Sequence, residues 1–492
     1  MNSFKKLKPI MFVGTASDVG KSVISAGFCR IFKQDGFQPA PFKAQNMSLN
    51  SYATPEGLEI GRAQAVQAEA AGVLCHTDMN PVLLKPTSDK SSQVILNGKP
   101  LGNMSAKDYF MSDSRNDLFP EVCSAFERLN NRFSPIVMEG AGSVSELNLK
   151  NRDITNLRMA IHAKAVTYLI ADIDRGGVFA SLYGTIALLT EEERACIKGV
   201  IINKFRGDIA LFEGGRKMIE ELCGVPVVGV LPYFRDINIE EEDSVSLEMK
   251  NKNAAEGKVN IAVILLNKLS NFTDFGRLER DARVHLYYSS SPEEIAKADI
   301  VIIPGTKNTI EDIIAIKNNK VAEAILDAFK NGKTVIGICG GFQIMGELIS
   351  DPLQVESKIP EVAGLGILPI KTVLLAEKTT RQRTFLHRDS ADICSGYEIH
   401  MGQTSVLGEE RPLNHFIEGG IDGYHFNEKC WGTYLHGILD NPSIINKILA
   451  PHTFEREEII DYQNFKEEQY DKLATLIRNN VNMQQIYQDL KP

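Results

Sequence analysis

Cys339 is the residue of this 492-residue chain with the strongest signs of a nucleophile. It ends a short apolar run in "KTVIGICGGFQIMGE" (333–347) and precedes two glycines and a helix-like segment. Such a strand-to-helix turn lifts the sulfur out of a sheet and directs helix N-terminal N–H groups toward the reactive thiolate and any oxyanion beside it. His436 ends another β-like run, "WGTYLH". This pairing predicts nucleophilic catalysis by Cys339 with His436 as base; the alternative for Cys339 is a small, inert core residue.

A second candidate site lies near the N-terminus. In "MFVGTASDVGKSVISAGFCRIF" (11–32) a strand-like run, a glycine loop and a helix follow one another, and Gly20, Lys21 and Ser22 open the helix. Backbone N–H groups of such a loop bind phosphates, the lysine reaches the outer phosphates and the serine hydroxyl binds Mg²⁺. Five residues separate Gly14 from Gly20, whereas the standard phosphate loop has four.

Acidic residues at other strand ends could complete the phosphate site, because open α/β sheets bind ligands there. Glu139 ends "SPIVMEG" (134–140) and is a candidate second carboxylate near Mg²⁺; its alternative is a strand-end cap facing water. Asp172 and Asp174 could orient Mg²⁺ or substrate, or could hold Arg175 in a structural ion pair.

The predicted strands that must position these residues fall into two groups along the sequence. Short apolar runs separated by helix-length segments predict buried parallel strands and βαβ crossovers. A polar, charged stretch divides the two groups and predicts a linker. The prediction is an α/β chain of two tandem domains, with units at 1–240, 241–258 (the linker), 259–450 and 451–492 (a C-terminal helical segment).

Composition narrows the class of protein. The net charge of -9 argues against nucleic acid as a partner, since phosphate neutralisation needs a basic face. Eight scattered cysteines without a C-x-x-C pair indicate neither a zinc site nor a redox pair, and favour a reducing compartment. No apolar run is long enough to span a bilayer, and no signal peptide is apparent. We therefore expect a cytoplasmic protein without a membrane partner; the oligomeric state, including a homo-oligomer, stays open.

Longer sequence motifs in the first half of the chain resemble motifs of known protein families. The loop from Gly14 to Ser22 resembles that of dethiobiotin synthetase and its relatives, which phosphorylate a carboxylate with ATP. "PFKAQNMSLNSY" (41–52), "MEGAGSVSELNL" (138–149) and "ADIDRGGVFAS" (171–181) resemble the cobyric acid synthase family. The residues that this resemblance implies for ATP binding are Thr15, Asp18, Val19, Gly20, Lys21, Ser22 and Asn203.

The resemblance also implies roles around the substrate. Lys43 would neutralise the transferred phosphoryl group, and Gln45 and Asn46 would bind substrate amide or carboxylate groups. Asn203 lies in "NKFRGD" (203–208), which resembles the base-recognition segment of the family. Arg206 and Asp208 of that segment could equally form a surface turn.

The second half resembles class I glutamine amidotransferases. "GICGGFQ" resembles their nucleophile elbow and "IPGTKNT" (303–309) their oxyanion strand, which implies an oxyanion hole at Gly305, Thr306 and Gly340. Most of that family place Pro-Glu after the histidine, whereas Gly437 and Ile438 follow here. Glu398 is a candidate to orient His436 instead; a structural role for Glu398 is the alternative.

Together the resemblances imply a P-loop-type parallel-sheet domain followed by a class I glutamine amidotransferase-like α/β domain. They imply ATP- and glutamine-dependent amidation, with Mg²⁺, of carboxylates b, d, e and g of the corrinoid adenosylcobyrinic acid a,c-diamide. The product would be adenosylcobyric acid.

One alternative function is amidation of another carboxylate, such as a and c of cobyrinic acid or that of a cell-wall precursor. A partitioning or metal-cluster-carrier ATPase is a rival of another class, but it would not need the domain that carries Cys339.

Overall fold

A computed structural model describes residues 6–88, 91–105, 109, 114–240, 247, 250–452 and 462–492 of the chain. Residues 241–246, 248 and 249 of the predicted linker 241–258, and residues 453–461 of the C-terminal segment, lie outside the described residues. The helices are α1 (Lys21–Gln34), α2 (Arg62–Ala71), α3 (Ser114–Asn130), α4 (Leu157–Ala163), α5 (Val178–Ala187), α6 (Glu191–Cys196), α7 (Glu213–Cys223), α8 (Pro292–Ile295), α9 (Thr309–Asn318), α10 (Val321–Lys330), α11 (Gly340–Ile344), α12 (Pro442–Leu449), α13 (Tyr462–Asn480) and α14 (Met483–Asp489).

The strands of the first half are β1 (Ile10–Gly14), β2 (Ala40–Phe42), β3 (Gln45–Met47), β4 (Ser51–Ala53), β5 (Glu59–Gly61), β6 (Val82–Ser88), β7 (Ser91–Leu96), β8 (Lys99–Ser105), β9 (Ile136–Glu139), β10 (Val166–Asp172), β11 (Ile197–Phe205) and β12 (Val227–Pro232). Those of the second half are β13 (Val259–Ile264), β14 (Val284–Ser289), β15 (Ile300–Ile303), β16 (Thr334–Ile338), β17 (Leu348–Ser350), β18 (Glu361–Ala363), β19 (Ile370–His387), β20 (Ile393–Val406), β21 (Asn414–Phe416), β22 (Ile421–Asp422), β23 (Tyr424–Asn427), β24 (Cys430–Thr433) and β25 (Leu435–His436).

A six-stranded parallel sheet organises the first domain, in the order β12-β11-β10-β1-β9-β2. Strand β1 lies inside the sheet between β10 and β9, and all five of its residues are buried. Apolar residues pack on both faces of the sheet, which is why its strands are continuous apolar runs in the sequence. This arrangement brings the carboxyl ends of β1, β9 and β10 to one edge.

A second six-stranded sheet, β14-β13-β15-β16-β24-β23, organises the second domain and is parallel except at β23. Its strand β16 pairs with β24 so that Ile338 lies opposite Thr433. The predicted order of two tandem α/β domains is therefore confirmed.

Antiparallel elements add to both domains, and the sequence analysis did not predict them. A long hairpin of β19 and β20 builds a separate seven-stranded sheet in the second domain, to which β25 also belongs. In the first domain β6, β7 and β8 form a meander beside β3. The exposure of residues in β19 alternates along much of the strand, which is a weaker sequence signal than a continuous apolar run.

The C-terminal helices return to the first domain. Leu473, Ala474 and Ile477 of α13 are buried against α1, and a methyl group at Gly27 would lie 2.2 Å from Ile477 Cδ1. Arg30 of α1 donates to Glu467 and Asp471 at 2.6 Å. The segment that follows the second domain in sequence thus completes the core of the first.

No helix within the described ranges is both long enough and apolar enough to cross a bilayer.

Candidate active sites

The first candidate site is the loop between β1 and α1. Gly20 has a φ of +97°, and a methyl group there would lie 2.2 Å from Nδ2 of Asn203, so this position requires glycine. Lys21 Nζ donates to the carbonyl oxygens of Ala16 and Gly142, each at 3.0 Å. Burial lowers the pKa of Lys21 to about 8, and the Glu139 carboxylate only partly offsets that cost. The loop therefore holds a buried cation beside the N-terminus of α1.

Other loop residues predicted from the sequence surround this cation. The Thr15 backbone N–H donates to the carbonyl oxygen of Ile170 at 3.0 Å, and Asp18 takes a left-handed conformation with φ 56°. The carbonyl oxygen of Val19 accepts a hydrogen bond from Asn203 Nδ2 at 2.9 Å. Asn203, on β11, is thus brought to the loop, where its amide contacts protein backbone.

Glu139 is the centre of the polar contacts beside the loop. It ends β9, next to β1, and is almost fully buried. Its Oε1 accepts from Ser22 Oγ at 2.7 Å and from Lys43 Nζ at 2.9 Å, and its Oε2 accepts from Gln67 Nε2 at 2.7 Å. Burial opposes ionisation, but Lys43 and these hydrogen bonds outweigh it and lower the pKa of Glu139. A cap facing water, the alternative for Glu139, does not fit this burial.

Asp172 and Asp174 lie at the end of β10 but make ion pairs with other residues than the sequence indicated. Asp172 accepts from Lys204 Nζ at 2.9 Å, and Asp174 accepts from Arg206 Nε at 2.5 Å. The sequence had suggested, as one alternative, that Asp172 or Asp174 forms a structural ion pair with Arg175. The pairs tie the end of β10 to the segment after β11, beside the loop.

Gln45 and Asn46 lie on β3, close to Lys43. Tyr109 Oη donates to Gln45 Oε1 at 2.7 Å, and Asn46 Nδ2 donates to Gln64 Oε1 at 3.1 Å. Both residues are buried. The segment that the family resemblance assigns to substrate is therefore built into the wall of the phosphate site.

The second candidate site is the turn after β16. Cys339 has φ 52° and ψ -109°, a strained conformation for a residue other than glycine, and it precedes α11. A methyl group at Gly341 would lie 1.9 Å from the carbonyl oxygen of Ile303, so glycine is what allows α11 to approach β15. The Cys339 Sγ lies 3.6 Å from the carbonyl oxygen of Ile399. Strain of this kind is characteristic of functional turns.

His436 faces Cys339 across neighbouring strand ends. Strand β24 runs beside β16, and the chain then leaves that sheet at β25, where His436 pairs with Tyr397 of β20. Cys339 and His436 line the same small cavity of about 40 Å³. The predicted nucleophile and base are thus brought together.

Asp274 orients His436, a role that no sequence motif indicated. Its Oδ2 lies 2.7 Å from His436 Nδ1, and its Oδ1 accepts from the Gly437 N–H at 3.0 Å. Burial opposes protonation of the imidazole, but the Asp274 carboxylate, with Cys339, raises the pKa of His436 to about 10. Glu398, the candidate from sequence, instead accepts from Arg383 Nε at 2.5 Å. The arrangement is a Cys-His-Asp triad.

The first domain holds the segment that carries Asp274. The Ser51 N–H donates to Asn271 Oδ1 at 2.9 Å, and the Phe272 N–H donates to Asn50 Oδ1 at 3.2 Å. These hydrogen bonds join the end of the substrate segment 41–52 to the turn that begins at Asn271. The position of Asp274 therefore depends on the docking of the two domains.

The residues predicted for an oxyanion hole lie beside the thiol. A methyl group at Gly340 would lie 3.0 Å from the backbone nitrogen of Thr306, so these two backbones are in close approach. Thr306 also donates its hydroxyl proton to Asp312, which fixes the segment after β15. The Gly305 carbonyl oxygen accepts from the Ser270 N–H at 2.9 Å. First-turn N–H groups of α11 have no intrahelical acceptors and can bind an oxyanion.

Comparison with known proteins identifies both domains. A model of a CobQ/CobB/MinD/ParA nucleotide-binding domain matches residues 10–247, and one of a CobB/CobQ-like glutamine amidotransferase domain matches residues 260–444. A cobyric acid synthase of Parabacteroides distasonis is 61% identical over 99% of both chains. Those of Bacteroides fragilis (60%, 99% of both chains) and Syntrophobacter fumaroxidans (46%, 98% of both chains) are also similar.

The chain belongs to the cobyric acid synthase family. The predicted family and enzyme class are confirmed, as is glutamine-dependent amidation in cobalamin biosynthesis. The nucleotide-binding domain indicates use of ATP.

For this cobyric acid synthase family member we expect Asp274→Asn to lower kcat/KM for glutamine hydrolysis by roughly 10²- to 10⁴-fold, the usual contribution of a positioned acid or base. Because the carboxylate keeps His436 protonated up to about pH 10, its loss should also move the alkaline limb of the pH profile to lower pH. Steady-state glutaminase rates between pH 6 and about pH 10.5 measure both effects.

The matched control is Glu398→Gln, since the Glu398 carboxylate pairs with Arg383 and not with His436. We expect this variant to keep the alkaline limb of the parent. A shift of the limb in the Glu398 variant, without one in the Asp274 variant, would contradict the triad.

Proposed function

We propose that this enzyme converts adenosylcobyrinic acid a,c-diamide into adenosylcobyric acid by amidating carboxylates b, d, e and g. One ATP and one glutamine would be used for each amide. The observation that carries the proposal is the set of contacts to Glu139, which joins Ser22 of the phosphate loop to Lys43 of the substrate segment. The names of the relatives and the substrate segment 41–52 support the corrinoid as substrate.

The residues beside the loop fit Mg²⁺. Protein sites for this ion use one or two carboxylates, waters and substrate phosphates. Ser22 Oγ and Glu139 Oε1 are 2.7 Å apart and offer a hydroxyl and an ionised carboxylate. We propose these two as the protein ligands; bound there, Mg²⁺ would neutralise charge on the ATP phosphates.

Activation of the substrate would proceed through an acyl phosphate. A carboxylate oxygen of the corrinoid attacks the γ-phosphorus of ATP, and ADP leaves. Lys21 at the phosphate loop and Lys43 beside Glu139 would stabilise the negative charge on the transferred group. Ammonia then attacks the acyl carbon, phosphate departs with the former carboxylate oxygen, and loss of a proton leaves the amide. Gln45 and Asn46 would hold neighbouring amide or carboxylate groups of the substrate.

Glutamine would supply the ammonia at the triad. The Cys339 thiolate attacks the side-chain carbonyl carbon of glutamine, and N–H groups at Thr306 and Gly340 stabilise the oxyanion. His436 gives its proton to the leaving nitrogen, so that ammonia departs and a thioester forms. Neutral His436 then takes a proton from water, which attacks the thioester and releases glutamate. We propose that the ammonia passes between the domains without release to solvent.

Oxygen-18 in the substrate carboxylates tests the acyl phosphate. Each amidation should move one labelled oxygen into inorganic phosphate, because the bond between the carbonyl carbon and that oxygen is the one that breaks. Mass spectrometry of the phosphate after turnover with ATP and glutamine measures the transfer. Unlabelled phosphate from a fully amidated product would exclude this intermediate.

A further inference from the structure

A buried ion triad closes the glutaminase cavity on the side of the first domain. Lys85 of β6 and Lys378 of β19 both donate to the Glu59 carboxylate, with Lys85 Nζ at 2.8 Å from Oε1. The side chains of all three are less than a tenth exposed. Lys85 and Lys378 also line the cavity that contains Cys339 and His436. The cavity therefore borders the first domain at Lys85, whose ammonium group is held by Glu59.

A row of buried amide side chains continues from this triad to the phosphate site. Glu59 begins β5, and Gly61 ends β5 and caps the N-terminus of α2. Gln64 of α2 accepts from Asn46 Nδ2 at 3.1 Å, and Gln67, one turn further on the same face, donates to Glu139 at 2.7 Å. We call Asn46, Gln64 and Gln67 the amide row. It runs from the N-terminal end of α2, which follows β5, to Glu139 at the phosphate site.

Two atoms of the amide row are buried without a hydrogen-bond partner among the described residues: Gln64 Nε2 and Gln67 Oε1. Both glutamines are at most 1% exposed. An unsatisfied buried polar atom destabilises the folded protein, so a retained pair of this kind points to a ligand. One atom is a donor and the other an acceptor, and ammonia offers both a lone pair and N–H groups.

We propose that the amide row is the passage along which ammonia formed at Cys339 reaches the acyl phosphate near Glu139. The proposal rests on the proposed function. No bond is made or broken on the way: neutral ammonia exchanges hydrogen bonds with successive amides and leaves the row as ammonia.

The charges at the entrance favour the neutral molecule. Lys85 and Lys307 line the cavity with one carboxylate, Glu356, and the two ammonium groups oppose entry of ammonium. Lys378 adds only part of a positive charge near pH 7, because burial lowers its pKa to about 7, an effect that Glu59 opposes and the two neighbouring lysines strengthen. Neutral amides beyond them do not compensate the cost of desolvating a cation. The row thus selects the species that can attack an acyl carbon.

Gly61→Ala tests the passage, because it adds a methyl group between the members of the row. The new carbon would lie 2.6 Å from Asn46 Nδ2, 2.8 Å from Gln64 Oε1 and 3.0 Å from Asn80 Oδ1. The backbone at Gly61, with φ -61°, accepts alanine. We expect the glutamate released per amide formed to rise about tenfold from a parent ratio near one, within the range of overpacking effects.

A second readout follows the nitrogen. With amide-¹⁵N glutamine and competing unlabelled ammonium chloride, the parent should make mostly labelled amide, whereas Gly61→Ala should make mostly unlabelled amide. Gln64→Leu removes the unpaired donor without blocking the backbone, and we expect the same loss of label. Gly184→Ala, where a methyl group meets no atom within 4 Å, is the matched control and should behave as the parent.

The outcomes separate this inference from the proposed function. Unchanged coupling and labelling in both Gly61→Ala and Gln64→Leu would overturn the amide row while leaving the amidation intact. A parent enzyme that forms no corrinoid amide from glutamine would instead overturn the proposed function.

Discussion

Replacing Cys339 with alanine should abolish glutamine-dependent amidation, with a loss of about 10⁴-fold or more, because the nucleophile itself is removed. The same variant should retain amidation with ammonium chloride at high pH, since the phosphate site lies in the other domain. Product formation from the a,c-diamide with ATP and either nitrogen source measures the difference. Glutamate release without corrinoid gives the loss of the glutaminase alone.

Cys394→Ala is the matched control for this experiment. That thiol is also buried in the second domain, yet it contacts Asp392 and Ser443 rather than the triad. We expect glutamine to remain a donor in the control. Glutamine-dependent product in the Cys339 variant at the parent rate would disprove the assigned nucleophile.

Replacing Lys21 with alanine should abolish amidation with either nitrogen source. Lys21 is buried at the loop, where it holds the carbonyl oxygens of Ala16 and Gly142, and we expect ATP phosphates to replace those acceptors. Loss of one such preorganised donor typically lowers kcat by about 10²- to 10³-fold, and the buried charge lost here favours at least the upper value. Rates of ADP formation and amide formation measure the effect.

Some glutaminase activity should survive in the Lys21 variant, because the triad is intact. Lys33→Ala, at the exposed end of the same helix, is the control and should keep the parent rate of amidation. Ammonia-dependent amidation at the parent rate in the Lys21 variant would refute the phosphate-loop assignment.

The parallel sheets could be predicted from the sequence because their strands are buried on both faces. Strand β1, for example, is a continuous apolar run followed by the glycine loop, and "KTVIGICGG" has the same form around β16. The hairpin of β19 and β20 was harder to predict, since partly exposed strands alternate in polarity and depend on their partner for stability. The return of α13 to α1 depends on contacts across more than 400 residues, which no local pattern encodes.

The three residues of the glutaminase triad also differ in how far the sequence could predict them. Cys339 directly follows β16, and His436 lies three residues after the neighbouring strand β24, so their types and positions sufficed. Asp274 lies after β13, which is separated from β24 by β15 and β16, and no motif marks it. Its position is set by the turn at Asn271 and by hydrogen bonds that this turn makes with Asn50 and Ser51 of the other domain. A polar residue near the carboxyl end of β13 was the only available signal.

We propose that two sites in one chain together amidate four carboxylates of a corrinoid. The decisive test is mass spectrometry of adenosylcobyrinic acid a,c-diamide incubated with enzyme, ATP, Mg²⁺ and glutamine. We expect four successive changes of acid to amide, each accompanied by one glutamate and one ADP. Two results would contradict this proposal. One is a corrinoid whose mass stays unchanged while glutamine and ATP are consumed, and the other is a product whose new amides lie at positions other than b, d, e and g.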